Sequence, residues 1–105
     1  MWLSRRVRLK PLERVAEDKF TKFAAVNGCL ALKLEIQGNR NYPDRMILMP
    51  DKAGVVFFIE FKREGEEPRK GQKFRIKKLR DMGYRVYVCS TYNCAESALV
   101  WELGR

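Results

Sequence analysis

Two apolar runs, Met46-Ile47-Leu48-Met49 and Val55-Val56-Phe57-Phe58-Ile59, are separated by Pro50-Asp51-Lys52-Ala53-Gly54. That spacing leaves little freedom. Runs of this length rich in Val, Ile and Phe suit strands, and a short link containing Pro, Asp and Gly suits a hairpin turn. The first run follows Pro43-Asp44, and the second leads into Glu60-Phe61-Lys62. In an antiparallel hairpin the start of one strand lies beside the end of the other. Asp44, Glu60 and Lys62 are therefore expected at one end of the hairpin. Packing alone gives no reason to end both strands on charges at the same place. Strand side chains repeat every two residues, so Glu60 and Lys62 share a face.

The rest of the chain supplies layers for this hairpin. A helical pattern runs from about Pro11 to Asn27, with Leu12, Val15, Ala16, Phe20 and Phe23 near the i, i+3, i+4 series. Pro11 suits its first turn and Gly28 its stop. Glu13 and Glu17 lie four apart on a stripe that continues through Phe20 and Ala24, so they border the buried face. Glu17 has Thr21, not a cation, at i+4. Cys29 to Ile36 alternates, with Leu30, Leu32, Leu34 and Ile36 on one side and Ala31, Lys33 and Glu35 on the other, as in a half-buried strand. A turn-rich loop, Gln37 to Asn41, follows.

A second helix is expected from Arg69 to Met82, stopped by Gly83. It carries a basic stripe of Lys70, Lys73, Lys77 and Arg80, and an apolar one of Ile76, Leu79 and Met82. Gln72 lies one turn before Ile76, on the inward side, where a polar group needs a partner or a role. Tyr84 to Cys89 reads as a strand, and Asn93-Cys94-Ala95-Glu96 as a capping box opening a short last helix. The order α-β-β-β-α-β-α is that of an α/β domain with a mixed sheet flanked by helices. With 105 residues, one domain over 1–105 is expected, preceded by a basic arm at 1–10.

Composition narrows the chemistry. The net charge is +9, from 22 Lys and Arg against 13 Asp and Glu, which points to a polyanionic partner such as nucleic acid. No stretch approaches the ~18 apolar residues of a membrane span, and no signal peptide follows the basic N-terminus, so a cytoplasmic location is expected. Cys29, Cys89 and Cys94 lack metal-ligand spacing and are expected to be reduced and at least partly buried. The chain has no histidine, which excludes His-ligated zinc and any His general base.

A helix carboxylate, an Asp at a strand start and Glu-x-Lys at a strand end suit a hard divalent cation that prefers oxygen ligands. Lysine can position a water or offset charge on a phosphate. With a basic surface attracting a nucleic-acid backbone, these parts agree on metal-dependent phosphodiester hydrolysis.

Gly28 with Leu30-Ala31-Leu32-Lys33, Pro43-Asp44-Arg45, Phe58-Ile59-Glu60-Phe61-Lys62, Gln72, and Leu79-Arg80-Asp81-Met82-Gly83-Tyr84-Arg85-Val86-Tyr87-Val88 together resemble a stand-alone VRR-NUC domain. That is a branch of the PD-(D/E)xK nuclease superfamily, and the resemblance covers roughly residues 12 to 90. It implies a restriction-endonuclease-like core. It also implies Asp44, Glu60 and the main-chain carbonyl of Phe61 as ligands for Mg²⁺, with Mn²⁺ as substitute. Lys62 would act on the attacking water or the transition state. Gln72 matches a polar helix position near the site. Glu17 matches the family's helix glutamate best, with Glu13 as substitute. Lys33, Arg45, Lys70, Lys73, Lys77 and Arg80 would contact DNA.

Two departures stand out. Asn41-Tyr42 replaces the usual Gly-Val before Pro-Asp, and Gly28-Cys29 replaces a Gly-Gly pair. Stand-alone members resemble junction-resolving enzymes in being small and dimeric. The resemblance therefore implies a homodimer that cuts four-way (Holliday) junctions, and a phage- or mobile-element-encoded enzyme working in its host's cytoplasm is the expectation. Flaps or other branched DNA are the alternative substrate. A non-catalytic nucleic-acid-binding module on the same fold is the rival to an enzyme.

Overall fold

The hairpin forms, and the sheet is built outward from it. In the computed structural model, which describes residues 12–105, β2 (Arg45–Leu48) pairs antiparallel with β3 (Val56–Phe61). The turn between them places Asp51 at φ 57° and Gly54 at φ 83°. Left-handed backbone of this kind is easiest for Gly and tolerated by Asp, which is why those residues stand at the turn. β1 (Leu30–Lys33) pairs antiparallel with β2, and β4 (Arg85–Cys89) pairs parallel with β3, giving a four-stranded sheet in the order β1-β2-β3-β4. The parallel step requires a crossover, supplied by α2 (Lys70–Asp81). α1 (Leu12–Val26) precedes the sheet and α3 (Tyr92–Leu103) ends the order α-β-β-β-α-β-α.

The two-residue period of β3 sorts the core into two layers. Phe57, Ile59 and Phe61 join Ile47, Phe20, Ala24 and Leu99 beneath α1 and α3. Val56 and Phe58 join Val86, Ile76 and Leu79 beneath α2. Glu60 has the parity of Phe58, so it turns toward α2. Arg45 has the parity of Ile47, so it turns toward α1. These two parities place much of the functional site.

Several sequence expectations change in detail. β1 is shorter than Cys29–Ile36, and its faces are not as the alternation suggested. Ala31 packs against the larger core cluster, while Leu30 and Leu32 are exposed. The leucine side of β1 lies on the α2 face at the sheet edge, and α2 packs over β4 at the opposite end of the sheet. Ile36 makes only an isolated bridge to Asn39. Met82, expected on the apolar stripe of α2, is exposed beyond the last turn. The last helix is capped by Thr91, whose hydroxyl accepts from the Cys94 N–H at 3.1 Å, not by Asn93. Cys89 and Cys94 are disulfide-bonded, correcting the expectation of reduced thiols, and only Cys29 is buried and free. The β4–α3 turn brings the Cα atoms of Cys89 and Cys94 to 5.6 Å, an ordinary bridging distance.

Lys52, in the hairpin turn, donates to the carbonyls of Glu102, Leu103 and Arg105 at 3.0, 3.2 and 2.7 Å. A cation on the last carbonyls of α3 satisfies acceptors that have no partner within the helix. The expected basic arm at 1–10 lies outside the described residues. Among the described residues no helix is long and apolar enough to cross a membrane.

Candidate active site

The end of the hairpin opposite its turn closes on itself through the two carboxylates. The backbone N–H of Asp44 donates to Glu60 Oε1 at 3.1 Å, and the backbone N–H of Phe61 donates to Asp44 Oδ2 at 2.8 Å. Pro43 shapes this arrangement. It is fully buried, fixes the chain just before Asp44 and has no N–H to give the β2–β3 ladder, and at this point the Asp44 side chain accepts from the Phe61 N–H. Both carboxyls are pushed above the ordinary carboxylate range. Burial is the main cause for each. For Asp44, repulsion from Glu17 adds to it, and for Glu60 repulsion from Asp44 does. Lys62 and hydrogen bonds pull in the opposite direction without cancelling burial.

Gln72 does what its inward position required. It is 4% exposed and bridges two elements. Its Oε1 accepts from the N–H of Arg69, the residue capping α2, at 3.1 Å. That bond assigns the amide nitrogen to the other side, where Nε2 donates to Glu60 Oε2 at 2.9 Å. Lys62 Nζ meets the same oxygen at 3.2 Å. Each Glu60 oxygen therefore has a directed partner, and the carboxylate cannot swing freely. The backbone N–H of Lys62 donates to the carbonyl of Cys89 at 2.9 Å, which ties the end of β3 to β4.

The two helix glutamates separate. Glu17 Oε2 accepts from Arg45 Nε at 2.7 Å, and Arg45 also donates to the carbonyl of Ala31 at 3.2 Å. Glu13 pairs with Arg63 at 3.1 Å. Glu17 is the one close enough to Asp44 to influence its ionisation. Arg45, expected on DNA, holds Glu17 in place through this pair. Neither partnership was visible in the sequence, where Arg45 lies 28 residues and Arg63 50 residues from its glutamate.

The expected DNA-contacting stripe on α2 is largely engaged as well. Lys73 pairs with Glu67 at 2.7 Å, Lys77 with Asp81 at 2.8 Å, and Arg80 donates to the carbonyl of Val86. Lys33 and Lys70 make no side-chain hydrogen bond or ion pair among the described residues.

Asp44, Glu60, Lys62, Gln72, Glu17 and Lys33 all line one open cleft of about 680 Å³. Among the described residues its lining holds five carboxylates (Glu13, Glu17, Glu35, Asp44, Glu60) and five cations (Arg14, Lys33, Arg40, Lys62, Arg69), a balance that a bound divalent cation would turn net positive. Among the described residues no three acidic, Cys or His side chains are gathered as a ready-made metal cluster. Two hydrogen-bonded, mutually repelling carboxylates nevertheless suit Mg²⁺, which is commonly held by one or two carboxylates with water and phosphate oxygens completing its shell.

The family model described as the VRR-NUC domain matches residues 5–92. A solved structure described as a VRR_NUC domain is similar in fold, with a TM-score of 0.78 and 23% sequence identity, covering 87% of this chain and 97% of the other. No curated protein matches the chain.

Proposed function

The chain belongs to the VRR-NUC domain family, and on that premise we propose that it is a divalent-metal-dependent, structure-selective DNA endonuclease whose preferred substrate is a four-way junction. One observation carries this reading: Asp44 and Glu60 are fixed side by side on the cleft wall, with Lys62 on Glu60. Asp44, Glu60 and the Phe61 carbonyl would hold Mg²⁺ or Mn²⁺, with Glu17 closing the acidic side. When bound, such an ion polarises a phosphoryl oxygen and makes water nucleophilic at neutral pH. Gln72 orients Glu60. Lys62 steers the attacking water or offsets charge developing on the phosphate. Lys33 and Lys70, which make no side-chain hydrogen bond or ion pair among the described residues, would attract the DNA backbone. Cutting opposed strands of a junction needs two such sites, so a homodimer is part of the reading, as is work in a cytoplasm, that of the host if the chain is phage-encoded.

Labelled four-way junction, flap and continuous duplex are incubated with the protein in Mg²⁺, Mn²⁺ or EDTA, while its mass is measured in solution. The expected result is metal-dependent cutting, strongest on the junction, by a dimer. Cutting that survives EDTA, or that persists in both Asp44→Ala and Lys62→Ala, overturns the mechanism. A flap preference moves the substrate to the alternative branch. Salt-sensitive binding without any cutting points to a non-catalytic module.

A further inference from the structure

Tyr42 stands two residues before Asp44, in the same cleft, and has no role in the core. It belongs to neither buried apolar cluster, and its hydroxyl makes no hydrogen bond among the described residues. A tyrosine kept for packing usually buries its ring and finds a partner for its hydroxyl. The ring is instead held from outside the core. The guanidinium of Arg75 on α2 lies 4.7 Å from its centroid, and Arg75 Nε is buried without any hydrogen-bond partner. Arg75 is thus committed to the ring, a cation–π contact that fixes its plane. The backbone is fixed as well, because a residue before proline is confined to extended conformations and Pro43 is fully buried.

Three cations share the cleft with this ring: Arg14, Lys33 and Arg40 line it, and their side chains form no ion pair or hydrogen bond among the described residues. This contrasts with Lys73, Lys77 and Arg80 of the α2 stripe, whose side chains are already engaged. A rigid aromatic beside unpaired cations is the arrangement by which proteins hold a single nucleic-acid strand, bases on the ring and phosphates on the cations.

We propose that Tyr42, braced by Arg75, is a stacking platform for a base that has left its helix, with Lys33 and Arg40 holding the neighbouring phosphates. It rests on the nuclease reading and deepens it. The platform makes the cleft select DNA that offers an unpaired or unstacked base beside the scissile phosphate, and discriminate against continuous duplex. Tyr42 is here a specificity residue, and the contacts that orient the strand lie in the cleft and not along α2.

The test is equilibrium binding of the full chain to a single-stranded oligonucleotide and to the same sequence as continuous duplex, in Ca²⁺. A fluorescent base analogue in the single strand reports stacking directly. Tyr42→Ala is expected to weaken single-strand binding by about fivefold or more and abolish the stacking signal, with duplex binding changed by less than about twofold. Tyr42→Phe retains both. Lys33→Gln and Arg40→Gln are each expected to flatten the salt dependence, whereas Lys73→Gln and Lys77→Gln leave it nearly unchanged. Equal loss on both DNA forms in Tyr42→Ala, an unchanged stacking signal, or a salt dependence set by Lys73 and Lys77 overturns the platform while leaving the nuclease reading intact. Wild-type protein that binds neither DNA form overturns both.

Discussion

Glu60 and Glu102 are both buried carboxylates, 2% and 1% exposed, yet they are treated oppositely. Glu102 on α3 is surrounded by compensation. Arg85 grips both its oxygens, the Tyr87 hydroxyl donates at 2.7 Å, and Arg105 stands 3.8 Å away. Burial, with Glu102 second, pushes the Tyr87 hydroxyl up to about 12, so it stays a donor. Glu60 receives a neutral amide, a backbone N–H and one lysine, and it faces a second carboxylate. Its ionised form is disfavoured overall. Full compensation makes a structural joint, whereas deliberate under-compensation leaves a site that gains by taking up positive charge. The cost of the second arrangement falls on folding and its benefit on binding.

Separating the two carboxylates by mutation gives the largest effect first. Asp44→Asn is expected to lower cleavage by roughly a thousandfold or more, since it removes a proposed metal ligand, while circular dichroism remains native. Next is Glu102→Ala, which strands Arg85 and Tyr87. It is expected to cost about 3–5 kcal/mol of stability in chemical denaturation, with cleavage per folded molecule unchanged. Gln72→Leu should weaken activity or metal affinity about 10- to 100-fold by freeing Glu60, with only a modest loss of stability. The smallest effect tests the comparison most closely. Without divalent ions, Asp44→Asn should unfold at the same temperature as wild type or higher, because Asn keeps an acceptor for the Phe61 N–H and removes a charge that repels Glu60. A clear drop in melting temperature would mean that Asp44 is structural, as Glu102 is.

The pH response has a definite sign. Asp44 and Glu60 hold protons more tightly in the folded protein than in the unfolded chain, because both are raised. Stability drawn from these groups is therefore greatest at low pH and declines as pH rises through their folded values, which lie above the ordinary carboxylate range. Divalent binding needs the ionised forms and runs the other way. The gain in melting temperature from Mg²⁺ is expected to be large near neutrality and to fade on acidification at a higher pH than ordinary carboxylates would set. Melting curves with and without Mg²⁺ across pH check this, and Asp44→Asn should blunt the gain.

The sequence revealed what depends on local rules. The hairpin followed from strand-forming runs around a turn, and the meeting of Asp44 with Glu60 and Lys62 followed from antiparallel geometry. Gln72 stands out in the sequence because a polar group on an inward face needs a partner. Contacts between distant segments could not be read in this way. Glu13 and Glu17 are distinguished in the structure by their partners Arg63 and Arg45, which come from other elements. The acid partners of Arg45, Lys73 and Lys77 are likewise invisible in the sequence, because charge there does not show whether an acid waits nearby in space. The β1 alternation was real, but which side is covered depends on where α2 ends up. The Cys89–Cys94 bond depends on how closely the β4–α3 turn folds back. The match to the VRR-NUC family bears out the resemblance and the restriction-endonuclease-like fold that it implied.

The hairpin mount has a consequence for how such a protein can change. Asp44 and Glu60 are joined by a closure of only 16 residues, whereas much of the cleft wall beside them comes from α1 and the 34–42 loop. Surface connections tolerate insertion and exchange far better than paired strands do. New lengths or side chains in the 34–42 loop would therefore reshape what enters the cleft while the paired carboxylates stay in register. On the proposed nuclease reading, the carboxylate mount and the surface that would choose a substrate lie on separate segments, and laboratory evolution aimed at 34–42 is expected to change the second without rebuilding the first.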